Sequence, residues 1–371
     1  MSQSDDDALL RAVADNHRDW MARWAAAEGA DAVVVGAATV YLADEAGVFP
    51  EVAPDPDALV DAIRARDCRS VGYWSLTADD ELGARLLARG FGWGWRPHWM
   101  AIELDDPAAF APSPELPFTV APAAPPYART LPYAPSPQVP DPPGTLRLGV
   151  RLREKVIGQI VVNPRDGVAG IYSMGVAPRV RGRGIATALT REACRRAMIE
   201  HGCRYAVLNA TDDGERVYRH VGFRSLGWGQ TWWYSRGPAP TARQVALAEA
   251  AGLGDVASLR ALAPTDGELD GPLPGAESLL MLAVVTGRAA VVEYLLARRP
   301  SLAARRFAPH RTTLLHLAVE HDSAPLVELA LAHGVDPGVR DASFGGTALG
   351  WAEHFGRRDL VRRLAEVTPA G

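Results

Sequence analysis

Lysine is nearly absent from this chain: of 39 basic side chains only Lys155 is not an arginine. Together with abundant alanine and proline, that bias predicts GC-rich coding and a bacterial source. Cysteine is scarce too. Cys68, Cys194 and Cys203 are odd in number and nowhere spaced as C-x-x-C. That excludes a disulfide framework and a zinc knuckle, and it predicts free thiols in a reducing cytoplasm with no metal site. No apolar run reaches 18 residues, so no membrane span is expected. Residues 1–7 are polar and acidic, unlike a secretory leader.

The 371 residues, 48% of them apolar, suffice for two or three domains with real cores. Charge is spread unevenly. Residues 1–145 hold 10 basic and 22 acidic side chains, residues 146–236 hold 16 and 7, and residues 237–371 hold 13 and 15. The basic middle calls for a polyanion. Its charge gathers at one helix start without interleaved aromatics, which favours a phosphate-bearing small molecule over nucleic acid.

That helix start is the stretch 176–186. An apolar run over 170–176 predicts a strand, and Pro178 ends it. From Ile185 the apolar spacing turns helical through Leu189, Ala193 and Ala197, to about His201. Between them lie Arg179, Arg181, Gly182, Arg183 and Gly184. The first N–H groups of a helix lack internal partners and carry partial positive charge. Glycines allow close approach of an anion, and arginines add forked donors.

Ahead of this module, Leu9, Leu10, Val13, His17, Trp20, Met21 and Trp24 share one helical face that ends at Gly29. Strands are predicted over 32–40 and 41–52, a helix over 58–65, a strand over 70–76, a helix over 79–89 and a strand over 99–104. Gly90, Gly92 and Gly94 are neither preceded by a strand nor followed by a helix, so a dinucleotide fingerprint fails on context. Six of the ten tryptophans lie here. Core packing is their ordinary use, and a cage for a cationic amine is the alternative.

Beyond the proline-rich stretch 112–143, with one strand over 118–121, a meander is predicted over 145–153, 156–162 and 170–176, with turns at Lys155 and over 163–167. After the glycine–arginine loop and its helix come a strand over 204–210 with Asn209 near its end, turn residues Asp212-Asp213-Gly214, a short helix over 215–220, and Val221-Gly222-Phe223. A last strand is predicted over 227–234. The Arg179-x-x-Gly182-x-Gly184 loop, Asn209, and the run from Tyr218 to Phe223 occur in the order that resembles the GNAT acyltransferase superfamily. The resemblance covers about 117–236.

The resemblance implies acetyl-CoA as cosubstrate. Pantetheine would lie between splayed strands at 170–176 and 204–210, against backbone groups near Met174 and Val176. The pyrophosphate would meet Arg179, Arg181, Arg183 and the amides of Gly182, Gly184, Ile185 and Ala186. Asn209 would bond the cosubstrate or an ordered water. Tyr218 would protonate the departing thiolate in a direct transfer to an amine. The strand residues 171–174 carry no acid, which leaves the base open between a water relay and a carboxylate from the N-terminal part. The two helices that usually follow the first strand are replaced by 125–144, a linker or lid. The N-terminal order resembles a degenerate copy of the same fold without a phosphate loop, expected to shape the acceptor site.

The tail repeats. Ala250, Ala283, Ala318 and Ala352 open A-x-x-x-[GD] motifs 33, 35 and 34 residues apart, each followed by an apolar helix. This resembles ankyrin repeats, with Asp322 standing where the others have glycine. His316 and His321 are five apart and share no helical face, so His316 is expected to brace its own turn. The expected class is α+β: tandem GNAT-like domains with mixed, mostly antiparallel sheets, then an all-α ankyrin array. The predicted spans are 1–110 for the degenerate copy, 111–144 for the linker with the second copy's first strand, 145–237 for the acetyl-CoA domain and 241–371 for the repeats. The expected function is N-acetyl transfer to a small-molecule or protein amine. The alternatives are a non-catalytic CoA-binding adaptor and transfer of a longer acyl chain. The ankyrin array is expected to bind a partner protein or, alternatively, to dock on or dimerise the enzyme; no nucleic acid or membrane partner is expected.

Overall fold

The computed structural model describes residues 3–42, 47–66, 70–111, 117–135, 141–273 and 275–368. Cys68 lies outside the described residues, as does part of the proline-rich stretch. The chain is α+β and divides into two compact units. One comprises Met1–Pro54, Val71–Ala78 and Trp95–Thr231, and the other Asp55–Ser70, Asp79–Gly94 and Trp232–Gly371.

In chain order the first part contains α1 (Gln3–Glu28), β1 (Ala32–Val35), β2 (Ala38–Tyr41), β3 (Gly47–Val48), α2 (Pro56–Arg64), β4 (Ser70–Ser75), α3 (Asp80–Ala88), β5 (Phe91–Trp93) and β6 (His98–Glu103). The middle contains β7 (Val120–Pro122), β8 (Leu146–Leu152), β9 (Lys155–Arg165), β10 (Val168–Val176), α4 (Ile185–His201), β11 (Tyr205–Ala210), α5 (Asp212–Val221), β12 (Arg224–Trp228) and β13 (Gln230–Ser235).

The first unit is built on a mixed sheet in the order β12-β6-β11-β10-β9-β8-β7. Only β10 and β11 run parallel; the other pairings are antiparallel. Side chains alternate across it, as strand geometry requires. Ala206 and Leu208 join Leu148, Ile160, Ile171 and Leu189 under α4 and α5. Val207, Trp99 and Ala101 face α1, which brings Leu9, Val13 and Met21. Each large apolar side chain fully buried there stabilises the unit by roughly 1.5–3 kcal/mol.

Strand β6 enters this sheet between β11 and β12, with Trp99 opposite Asn209 and His98 opposite both Ala210 and Trp228. The last strand predicted over 227–234 is two strands. They break at Gly229, where a Cβ would stand 2.4 Å from the Ser75 carbonyl oxygen. β12 pairs with β6, and β13 pairs with β5 in the second unit, Trp232 opposite Trp93. The turn predicted over 163–167 is also shorter. Asn163 and Pro164 belong to β9, opposite Gly170 and Ala169, and the chain reverses at Asp166 and Gly167, both at positive φ. Asn163 stays in the strand because α1 captures its side chain: Nδ2 donates to Asp19 Oδ2 at 3.0 Å. α5 begins at Asp212, earlier than predicted, because the Thr211 hydroxyl accepts the Gly214 N–H and caps the first turn.

The second unit contains α2, α3, β5, β13 and the helical array. The array runs α6 (Ala242–Leu253), α7 (Val256–Leu262), α8 (Asp266–Asp270), α9 (Leu279–Val285), α10 (Ala289–Arg298), α11 (Leu314–Glu320), α12 (Ala324–Ala332), α13 (Ala348–His354) and α14 (Arg358–Ala365). α3 packs on α6 closely enough that a Cβ on Gly252 would stand 2.8 Å from that of Ala84. Arg89 fixes the contact by reaching Asp57 at 2.6 Å and Glu249 at 2.6 Å. Within the repeats, Gly254, Gly287 and Gly356 sit at positive φ between paired helices, and Asp322 does the same with φ 53°. Aspartate is among the few side chains that tolerate this region. His316 braces its turn as expected: Nδ1 meets Thr313 Oγ1 at 2.8 Å and Nε2 reaches the Gly346 carbonyl at 3.1 Å.

Candidate functional site

β10 and β11 pair in parallel from Val168 opposite Tyr205 to Ile171 opposite Leu208, and then part. The cause lies in β10. Its register on β9 slips between Tyr172 and Gly175, and Ser173 takes φ 48°. A bulge of this kind bends a strand and ends its pairing on the free side. β11 meanwhile stays straight on β6. Met174 and Val176 therefore lie along the wall of a gap, and Asn209 lies along the other. Arg181 Nε reaches the Val176 carbonyl at 3.3 Å.

The gap opens toward the loop that starts α4. After a 3-10 turn over Pro178–Val180, Gly182 (φ 74°) and Gly184 (φ 78°) adopt left-handed backbone. Gly184 is the N-cap and offers no side chain, so the N–H groups of Ile185, Ala186 and Thr187 lack side-chain caps. Apart from Gly182 and its chain neighbours, no atom of the described residues lies within 4 Å of where a Cβ on Gly182 would be. Arg179, Arg181 and Arg183 are exposed and pair with no carboxylate among the described residues. α4 is pressed onto the sheet at this end, because a Cβ on Gly158 would collide with Ile185 at 2.6 Å. The result is a rigid, cationic helix start with free backbone donors.

Tyr218 projects from α5 into the core under it, 6% exposed, with its ring 5.8 Å from that of Phe223. Its hydroxyl makes no hydrogen bond among the described residues. Burial, helped by nearby Tyr133, pushes the phenol above its ordinary value, so it stays protonated. The sequence did not single out Tyr133. It belongs to a strap, Leu131-Pro132-Tyr133, whose carbonyls at Pro132 and Tyr133 both accept from Gln159 Nε2. Gln159 is fully buried, and its Oε1 accepts from Arg147, itself held by Asp141 at 2.5 Å. The strap thus crosses β10 at its bulge.

α1 supplies the opposite face. Trp20 lies flat on Tyr172 with ring centres 4.5 Å apart, and the Tyr172 hydroxyl donates to Asn16 Oδ1 at 3.0 Å. His17 packs on Trp74 at 4.4 Å, and Trp74 stands edge-on to Trp95 at 5.6 Å. These rings fill the space between α1 and the sheet by packing on one another. Burial lowers the His17 pKa to about 3, so it is neutral.

A second polar group lies under α5. His98 Nε2 meets Ser225 Oγ at 2.7 Å, its Nδ1 stands 3.3 Å from Glu215 Oε2, and its ring stacks on Trp228 at 4.0 Å. Burial raises the Glu215 carboxyl, but the Arg219 hydrogen bond and the His98 charge outweigh it and hold the group below its ordinary value. Sequence reading missed this cluster, since its members come from β6, α5 and β12. Cys194 and Cys203 are buried, and burial pushes their thiols to about 12 and about 11, which leaves little nucleophilic thiolate. No metal-ligand cluster occurs among the described residues, nor any helix long and apolar enough to cross a membrane.

Residues 111–223 match the family model described as acetyltransferase (GNAT) family. This chain carries a GNAT domain. Residues 280–370 match the model for ankyrin repeats (3 copies). The GNAT match contains the bulged β10, the glycine–arginine loop, Asn209 and Tyr218, and ends at Phe223. Among solved structures, the chain is similar to a GCN5-related N-acetyltransferase from Kribbella flavida at 22% identity and TM-score 0.46, over 61% of this chain and 95% of that one. It is similar to another from Sphaerobacter thermophilus at 21% and 0.39, over 55% and 78%. A third is a tandem GNAT protein from the clavulanic acid biosynthesis pathway, at 15% and 0.40, over 56% and 80%. No curated protein matches the chain.

Proposed function

We propose that the GNAT domain transfers the acetyl group of acetyl-CoA to a primary amine. The observation that carries this reading is the gap between β10 and β11 opening onto an uncapped helix start with three arginines that pair with no carboxylate among the described residues. Arg179, Arg181 and Arg183, with the amides of Gly182, Gly184, Ile185 and Ala186, hold the pyrophosphate. The backbone at Met174 and Val176 meets the pantetheine amides, and Asn209 bonds the cosubstrate from the facing strand. Bulge and helix start lie at the same end of the sheet, so the thioester comes to rest beside Tyr218.

The amine nitrogen attacks the thioester carbon while the C–S bond breaks. Tyr218, kept protonated by burial, gives its proton to the departing sulfur and regains one through water from the attacking nitrogen, which loses a proton as the neutral amide forms. The buried thiols argue for direct transfer in a ternary complex over an acyl-enzyme. The N-terminal copy (1–110) supplies α1 as one wall of the acceptor site, the strap within 111–144 lies over the bulge, 145–237 forms the acetyl-CoA domain, and the array (241–371) recruits a partner protein. Free Cys194 and Cys203 suit a bacterial cytoplasm. The absence of a carboxylate from residues 171–174 favours one alternative, a CoA-binding adaptor without catalysis.

The test is calorimetric titration with acetyl-CoA of the wild type and of Gly182→Glu, with circular dichroism as the folding check. Saturable binding lost at least about tenfold in the variant supports the site. A folded wild type that binds no acetyl-CoA overturns the enzyme reading. Acetyl-CoA binding without turnover of any amine in an acceptor screen leaves the adaptor.

A further inference from the structure

The array carries a surface that its own packing does not explain. Phe344 is 74% exposed at the tip of the finger loop before α13. It is not a stray side chain. Its ring stands 5.3 Å from His310 of the preceding finger and 6.4 Å from Trp351 of α13, which in turn meets Phe355 at 5.9 Å. The fingers are fixed to each other, since Ala342 N–H donates to the His310 carbonyl at 2.7 Å and His310 Nδ1 meets Ser343 Oγ at 2.8 Å. An aromatic strip is therefore held open on a stiff support.

Around it lie three arginines, while the nearby carboxylates are Glu277, which accepts the Ala308 N–H, and Glu320, close to His310. Arg306 donates to the carbonyls of Arg311 and Arg340, and Arg340 donates to that of Gly345 at 2.8 Å. Neither these two arginines nor Arg311 pairs with a carboxylate among the described residues. Asp341, in the same finger, is turned inward: it accepts from the N–H groups of Ser343, Phe344 and Gly346 and from Trp351 Nε1. Two guanidiniums held on backbone carbonyls, Arg306 and Arg340, and the exposed Arg311 of the same fingers thus accompany an aromatic strip whose tip, Phe344, is exposed. Several other arginines of the array pair with carboxylates, as Arg243 with Glu268 and Arg363 with Glu328.

We infer that the strip formed by Phe344, Trp351 and Phe355, flanked by Arg306, Arg311 and Arg340, docks an acidic segment of a partner protein that inserts an apolar side chain beside Phe344. Aromatic anchors with a rim of arginine are the composition of binding hot spots. Nucleic acid fits less well, because residues 237–371 carry 13 basic against 15 acidic side chains and give no broad positive field. The inference rests on reading the array as a recruiting surface; it is independent of acetyl transfer.

The test uses the full chain and three fluorescein-labelled 12-residue peptides, each with a central Phe flanked on both sides by Glu, Ser or Lys. Fluorescence anisotropy should rank them Glu, Ser, Lys, with at least about a tenfold preference for Glu over Ser that fades with salt. Arg311→Glu with Arg340→Glu should abolish the preference, and Phe344→Ser should weaken the Glu peptide at least about fivefold. Gly182→Glu should leave peptide binding unchanged, which separates this surface from the acetyl-CoA site. The inference is overturned by absence of binding up to about 1 mM, by equal binding of the three peptides, or by indifference to the variants. Tighter binding of a single-stranded oligonucleotide overturns it, and so does a dimer that Phe344→Ser dissociates.

Discussion

The carbonyl oxygen of Pro132 lies 2.5 Å from where a Cβ on Gly175 would stand. No side chain fits there, so Gly175 lets the strap close on β10 beside the bulge. Gly175→Ala should lift the strap. The expected outcome is faster protease cleavage within 125–144 and a several-fold rise in KM for the amine, with acetyl-CoA affinity little changed. An unaltered cleavage pattern and KM would remove the strap from the acceptor site.

Tyr218→Phe deletes only the phenol oxygen, which makes no hydrogen bond among the described residues. Folding stability should therefore change by less than about 1 kcal/mol, while kcat falls on the order of 10–100-fold. Because burial raises the Tyr218 pKa, the acid stays protonated and the wild-type rate should show no alkaline decline through pH about 10. A decline near pH 8 assigned to this tyrosine would count against it.

His17 is neutral in the fold, with its pKa lowered by burial from 6.5 to about 3. The unfolded chain takes up a proton below pH about 6.5 and the folded one does not, so stability is fully present above that pH and is lost progressively down toward pH 3. The loss is on the order of 4 kcal/mol. Urea titrations between pH 7 and 4 should show it, and His17→Gln should flatten the acid limb although it lowers stability at pH 7.

Asp322 holds a left-handed turn that glycine holds in the other repeats, and it pairs with Arg357 at 3.2 Å across a partly exposed surface. Asp322→Gly relieves the backbone and gives up a weak ion pair. Thermal unfolding should report a net change within about 0.5 kcal/mol. Gly287→Ala at φ 71° should cost about 1–2 kcal/mol.

The resemblance was legible because its signals are short. The run from Val176 to Ala186 joins strand, loop and helix within one stretch of chain, and Tyr218 to Phe223 follows on one short helix. The exits of β9 and the start of α5 were misplaced because side chains far along the chain decide them. Asn163 stays in its strand through α1, 144 residues from its partner Asp19. That Trp99 stands opposite Asn209 was not legible, since nothing in either residue names the other.

The sequence by itself determined the local devices: the arginine-rich helix start, the 33–35-residue repeat and the alternation that gives each strand two faces. These depend on periodicity and backbone preference, which act over a few residues. The tertiary structure alone decided that β6 enters the sheet beside β11, that His98 meets Glu215 and Ser225, that the Pro132 carbonyl closes on Gly175, and that tryptophans fill the space under α1. Strand pairing uses backbone groups common to all residues, so it leaves no mark in the sequence of which strands meet. The side chains that converge on the site do so only after that choice is made.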